Sequence, residues 1–305
     1  MPSTLADGQL WSFNVSTNRL FDTPYMKVVP SKLMDIKTFI KQFIPPILLE
    51  LYRNRTFGPR YLWEGIYLHY YDVSTIGPGF ACDSWINSAV TEAQDAIAIS
   101  KRYGSIPMEV IEEYALLPML ASIAFQRNGR KVRILDFGGG LGIAYVHLLR
   151  SLVECRLIDY HIVELEWACQ AGSRLFEHDS RIHFHRSFPN NLTEVDVVHM
   201  NSVLQYIEDY AGLLKALCAY RATYFLIGEL YAGDFTTFAS SHKGMPETVV
   251  PCWFFNVDEI IGIMKQLGYS LIFKGALKEG YNFDNFPKAY RVDHGRACNL
   301  LFAQS

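Results

Sequence analysis

Ile134-Leu135-Asp136-Phe137-Gly138-Gly139-Gly140-Leu141-Gly142 places four glycines within five residues, directly behind an apolar run that starts at Val132. The run Val132 to Phe137 predicts a strand, and Ile143–Leu152, just past the glycines, predicts a helix. A glycine loop at such a junction turns tightly and lets a ligand approach main-chain amides with no Cβ in the way. Working outward, further strands are expected over Tyr160–Leu165, Ile182–His185, Val195–Met200, Tyr224–Gly228, Tyr269–Lys274 and Asn299–Ala303. Helices are expected over Ala168–Phe176, Tyr210–Tyr220 and Asp258–Leu267, the last ended by Gly268. Short apolar runs alternating with helical stretches indicate an α/β fold of parallel βαβ units joined by right-handed crossovers.

The loop also discriminates between ligands. A dinucleotide would set its pyrophosphate near Asp136, where two negative charges repel. S-adenosylmethionine brings a cationic sulfonium and an ammonium, which acidic surroundings favour. The dinucleotide fingerprint further requires Gly or Ala at its sixth position, which here is Ile143. The reading is a methyl-donor site at Asp136, Gly138, Gly139, Gly140 and Gly142. Val163-Glu164 closes the next strand, where Glu164 can accept hydrogen bonds from both ribose hydroxyls, with Leu165 beside it. Arg186-Ser187-Phe188 falls at the adenine edge; no Asp stands there, so Ser187, backbone amides and an apolar ring would hold the base. Asn201, Ser202 and Gln205, after the strand ending at Met200, either border the methionine end of the donor or cap the following helix.

Upstream of Arg130 the chain reads differently. The first 30 residues are broken by Gly8, Pro24 and Pro30, and 33–55 suggests two helical pieces interrupted by Pro45 and Pro46. Lys37, Lys41, Arg53 and Arg55 flank apolar residues there, so this stretch packs on its own domain or lies on a membrane surface. Residues 58–79 are rich in aromatics and turn formers; 84–101 and 107–127 read as helices that stop at Asn128-Gly129. The expected organisation is a mostly helical cap and substrate region over 1–129, followed by a Rossmann-like cofactor domain over 130–305.

Composition narrows the classes. Half of the 305 residues are apolar and the formal charge is -3, which argues against the basic surface of a nucleic-acid-binding domain. The six cysteines form no C-x-x-C pair, and no histidine is spaced to complete a zinc site, so they read as reduced thiols. No metal is expected. The first residues lack the pattern of a secretory leader, and no apolar stretch approaches the ~20 residues that span a bilayer. A cytoplasmic protein is the expectation, with peripheral membrane contact and homodimer formation open.

The chain resembles class I methyltransferases of the kind encoded in bacterial surface-polysaccharide gene clusters. The resemblance rests on Ile134 through Gly142, on Val163-Glu164, and on Ser202-Val203-Leu204-Gln205-Tyr206. Val250-Pro251-Cys252-Trp253-Phe254-Phe255 resembles the family's Pro-x-Trp-Phe pattern, and Trp63-Glu64-Gly65 and Trp85 through Ala89 are weaker landmarks. It implies a Rossmann-like seven-stranded sheet with an antiparallel final strand and an N-terminal helical cap. It also implies S-adenosylmethionine as cofactor, S-adenosylhomocysteine as product, and O-methylation of a sugar or another small polar acceptor. Where the family tends to carry an Arg, this chain reads Gly228-Glu229-Leu230-Tyr231. Candidates for orienting or deprotonating the acceptor are Glu229, Tyr206 and His242, the last in a polar stretch long enough for a lid; His199 reads as a core histidine. Tyr70, Tyr71 and Trp85 are candidate cleft residues. Alternatives are a natural-product methyltransferase, an NAD-dependent oxidoreductase and a non-catalytic partner protein that binds the donor.

Overall fold

Runs rich in Val, Ile and Phe fold as strands, and most of the stretches between them fold as helices that bury one side. In the computed structural model the described residues are 61–103, 116–152, 157–245, 247–292 and 296–305. The helical pieces expected over 33–55, and the start of the helix expected over 107–127, lie outside them. In chain order the main elements are β1 (Trp63–Tyr67), α1 (Asp83–Tyr103), α2 (Leu116–Asn128), β2 (Val132–Phe137), α3 (Ile143–Ser151), β3 (Ile158–Val163) and α4 (Glu166–Leu175). Then come β4 (Ile182–His185), β5 (Val197–Asn201), α5 (Tyr210–Cys218), β6 (Tyr224–Leu230), β7 (Ala232–Gly233), β8 (Phe238–His242) and β9 (Val250–Asn256). The chain closes with α6 (Val257–Gln266), β10 (Tyr269–Gly280) and β11 (Arg296–Gln304). Arg60–Ser305 form one compact unit.

Seven strands make the main sheet, in the order β10-β11-β6-β5-β2-β3-β4. Strands β4, β3, β2, β5 and β6 pair in parallel, while β11 runs antiparallel to both β6 and β10, as the family resemblance implies for the last strand. Side chains alternate between faces along each strand. Ile134, Tyr160, Ile162 and Val197 pack under α2 and α3, and Leu135, Val198, Met200 and Phe225 pack on the opposite face with α5 and α6. Each fully buried side chain of this size contributes about 1.5–3 kcal/mol against exposure. Asn256 caps α6 by accepting the Glu259 amide at 3.0 Å.

Two features depart from the simple alternation. Residues 186–196 cross from β4 to β5 without a helix, because Pro189 and the Asn190-Asn191 pair interrupt helical geometry. The second feature is a four-stranded sheet, β1-β8-β9-β7, which the sequence does not announce. Ser240-Ser241-His242-Lys243-Gly244 reads as a polar loop, yet its first three residues belong to a strand, β8, paired antiparallel to β1 and β9. Ala239 and Ser240 are wholly buried there. His242 therefore sits on a strand and not in a lid. Among the described residues, no helix is long and apolar enough to cross a membrane.

Candidate active site

The glycine loop leaves β2 and enters α3 at its N-terminus. Gly138 donates its amide to Val163 O at 2.9 Å, and Gly142, left-handed at φ 83°, precedes α3 while donating to Gly139 O at 3.0 Å. A Cβ on Gly138 would fall 2.5 Å from Val203 Cγ2, and one on Gly139 only 2.3 Å from Asp136 Oδ2. These two glycines are required by what lies behind them. Gly140 (φ 55°) differs: a Cβ there would meet nothing within 4 Å, so the loop is open on that side, facing a helix N-terminus that favours polar ligands.

Asp136 lies beneath the loop rather than facing the ligand. It is 1% exposed; Tyr160 donates its hydroxyl to Oδ2 at 2.6 Å, and His199 Nδ1 lies 2.8 Å from Oδ1. A buried carboxylate needs such partners to offset lost solvation. The sequence reading set its charge against the sulfonium; the geometry makes it a brace under Gly139 whose field reaches the cleft through the protein. His199, 3% exposed, is the core histidine expected.

Glu164 follows β3 and reaches back to the loop, its carboxylate accepting the amides of Leu165 and Gly140. Burial pushes its carboxyl above the usual range, the two amides pull the other way, and Asp136 adds to the rise. Leu165 is half exposed and Ser187 is exposed, both on the solvent side of this junction. Phe188 stacks on Phe137 with ring centroids 5.8 Å apart, beside the stretch where the sequence leads one to expect the base.

A second cluster gathers where β5 and β6 end. Ser202 (φ 54°) and Glu229 (φ 51°) both take the left-handed conformation, which costs a non-glycine residue energy and concentrates at functional sites. Ser202 donates its amide to Gly228 O at 3.0 Å, and Asn201 presses so close that a Cβ on Gly228 would lie 2.0 Å from its Oδ1. Gln205 is fully buried: its Nε2 lies 3.3 Å from both Ser202 Oγ and Glu229 O, while its Oε1 has no partner among the described residues. It holds the two strand ends together, and its unpaired acceptor is a costly group that suits a ligand donor. Glu229 donates its amide to Asn299 Oδ1 at 3.0 Å and accepts the Tyr281 hydroxyl at 2.5 Å. A small cleft opens nearby between Asn201, Gly228, Asn299 and the start of α2 at Leu116-Leu117.

Tyr206 and His242 form a pair, with Tyr206 Oη 3.3 Å from His242 Nδ1. Burial holds the Tyr206 hydroxyl well above its ordinary pKa and lowers His242 to about 4. Near neutrality the hydroxyl thus keeps its proton and donates to a neutral imidazole. The other ring nitrogen lies against Gly244, where a Cβ would be 2.4 Å away. One ring nitrogen is engaged by Tyr206 and burial makes the ring a weak base, an arrangement that suits His242 to positioning Tyr206. Around this pair stand Trp63, stacked on His242 at 5.5 Å, with Tyr281, Phe283 and Tyr231 at 5.0–5.3 Å from the indole, and Phe80 edge-on to Tyr206 at 4.9 Å. Tyr70 donates to Tyr206 O at 2.7 Å, a structural contact; Tyr71, 72% exposed, stacks on His69, and Trp85, 41% exposed, stands edge-on to Phe80 at 5.6 Å. Asn299, Tyr281 and Phe80 were not legible as site residues, because nothing local in their sequence marks them.

The two clusters together fit a nucleoside with a cationic tail. The open side of Gly140 and the Glu164 carboxylate suit the nucleoside, and the orphaned Gln205 acceptor suits an ammonium. A family described as "Methyltransferase domain" matches residues 110–272, just over half of the chain. No curated protein matches the sequence at a significant level. Among solved structures, the 1,6-didemethyltoxoflavin-N1-methyltransferase of Burkholderia thailandensis, crystallised with S-adenosylhomocysteine, is 16% identical over 78% of this chain and 99% of its own, at a TM-score of 0.44. The magnesium protoporphyrin IX methyltransferase of Synechocystis PCC 6803 is 12% identical over 90% and 100%, at 0.41. An amino pentose methyltransferase of Micromonospora echinaspora is 13% identical over 63% and 91%, also at 0.41. Likenesses this remote add nothing about what the chain itself acts upon.

Proposed function

Because the chain belongs to the methyltransferase-domain family and is an S-adenosylmethionine-dependent methyltransferase, we propose that it methylates oxygen on a small polar acceptor, a sugar foremost. The observation that carries this reading is Glu229, held left-handed at the carboxyl end of β6 with its carboxylate fixed by Tyr281. When bound, S-adenosylmethionine supplies an electrophilic methyl group on a cationic sulfur. The amides of the loop from Gly138 to Gly142 and the Glu164 carboxylate hold the nucleoside, with Ser187 and Phe188 at the base. Asn201, Ser202 and Gln205 line the other end. Glu229 accepts the acceptor's hydroxyl proton, Tyr281 aims the carboxylate, and Tyr206, braced by His242, orients the acceptor. Trp63 and Phe80, from the region before Arg130, form part of the acceptor wall.

Mass spectrometry of products from a panel of nucleotide sugars and hydroxylated small molecules tests the acceptor class. A methylated sugar supports the reading. Product only from ring-bearing natural products favours the second one, which the aromatic wall of Trp63, Tyr281 and Phe283 also suits. Glu229→Gln should lower kcat by about 10²–10⁴-fold with S-adenosylhomocysteine affinity unchanged in calorimetry. Unchanged kcat would remove Glu229 from the role of base.

A further inference from the structure

Strands β3 and β4 carry polar side chains on the face opposite α2 and α3, where a buried sheet would be apolar. Asp159 and His161 are two apart on β3, and His183 and His185 two apart on β4, so each pair projects to one face. The parallel register sets His161 beside His183 and Val163 beside His185, which puts all four side chains on the same side of the sheet edge. The crossover of residues 186–196 contains no helix to cover them.

The donor atoms converge. Asp159 Oδ1 lies 3.1 Å from His161 Nε2 and 3.2 Å from His183 Nε2, and one ligand atom from each of the three residues lies within 4.8 Å of the others. Ligands of a tetrahedral zinc ion, bound at 2.0–2.2 Å, stand about 3.3 Å apart. The outer contacts are also those that orient metal ligands. His161 Nδ1 lies 3.0 Å from His185 Nε2, which can accept its proton and leave Nε2 of His161 with a free lone pair. Arg133 Nε donates to Asp159 Oδ2 at 2.9 Å, which turns Oδ1 toward the two imidazoles.

We propose that Asp159, His161 and His183 form a binding site for a divalent transition-metal ion, zinc foremost, with a fourth position open to solvent beside His183. Two imidazoles and one carboxylate suit zinc and its neighbours, whereas magnesium and calcium want oxygen donors throughout. Asp159 stands five residues before Glu164 on an extended chain, roughly 16 Å away at ~3.3 Å per residue. The ion would tie the edge strand β4 to β3 and take no part in methyl transfer.

The test uses the full chain, stripped of metal by chelation and titrated with Zn²⁺ alone in a calorimeter. One equivalent should bind at micromolar affinity or tighter. His183→Ala and Asp159→Asn should each weaken binding at least tenfold, while S-adenosylhomocysteine titrations of the same variants stay unchanged and show them folded. His69→Ala, which alters an exposed histidine elsewhere, should bind as the parent does. Absence of zinc binding in the parent chain, or binding that persists in both variants, overturns the site. Co²⁺ added to the unaltered chain gives a check independent of any variant: an intense visible band of tetrahedral type supports the site, and a weak octahedral spectrum overturns it.

Discussion

Asp136 shows how one residue can be legible in kind and misread in role. The acid before a glycine loop marks the cofactor class, but its carboxylate is spent on Tyr160 and His199 under Gly139. Asp136→Asn offers one acceptor and one donor to two partners that both approach as donors. Stability should fall by about 1–3 kcal/mol in chemical denaturation, the cost of an unsatisfied buried group, and S-adenosylhomocysteine should bind at least tenfold more weakly. Unchanged affinity would mean that the loop holds its shape without the brace. The glycines and Glu164 could be found because they are close in sequence and each answers to a local geometric demand. Tyr281 and Asn299 could not: they reach Glu229 from 52 and 70 residues away. The Asp159-x-His161 and His183-x-His185 spacings are visible in the sequence, yet only strand register turns two alternations into one cluster.

Individual elements show the same division between local and distant causes. The parallel βαβ units were readable because each strand and its following helix are contiguous, so hydrophobic periodicity alone locates them. Strand β8 was not, since small polar residues become strand only by pairing with β1 and β9. Helix α4 offers a test of how tightly such units pack. Gly172 is buried there, and a Cβ on it would lie 2.3 Å from Phe184 Cε1 on β4. Alanine favours helix over glycine by about 1 kcal/mol. Overpacking against the ring costs about 1–3 kcal/mol and should prevail, so Gly172→Ala is expected to lower the denaturation midpoint despite its better helix propensity. A raised midpoint would show that Phe184 yields without strain.

At the scale of the molecule, burial of neutral histidines ties stability to pH. His147 and His242 are both lowered to about 4 by burial, against about 6.5 in an unfolded chain. Their contribution is therefore complete above about pH 6.5. Between there and about 4 the unfolded chain binds protons that the folded one refuses, so stability falls as pH falls, by at most about 1.4 kcal/mol per pH unit for each group. Urea midpoints at a series of pH values should show this slope, and His242→Gln should make it shallower; an identical slope would mean His242 titrates normally. The pairing of β1 with β8 has a consequence in time. Trp63 and His242 are register partners although 179 residues separate them. At a synthesis rate of roughly 5–20 residues per second, β1 emerges roughly 9–36 s before its partner strand exists. During that interval Trp63, which ends wholly enclosed, is an indole on a nascent chain without the strand that will cover it.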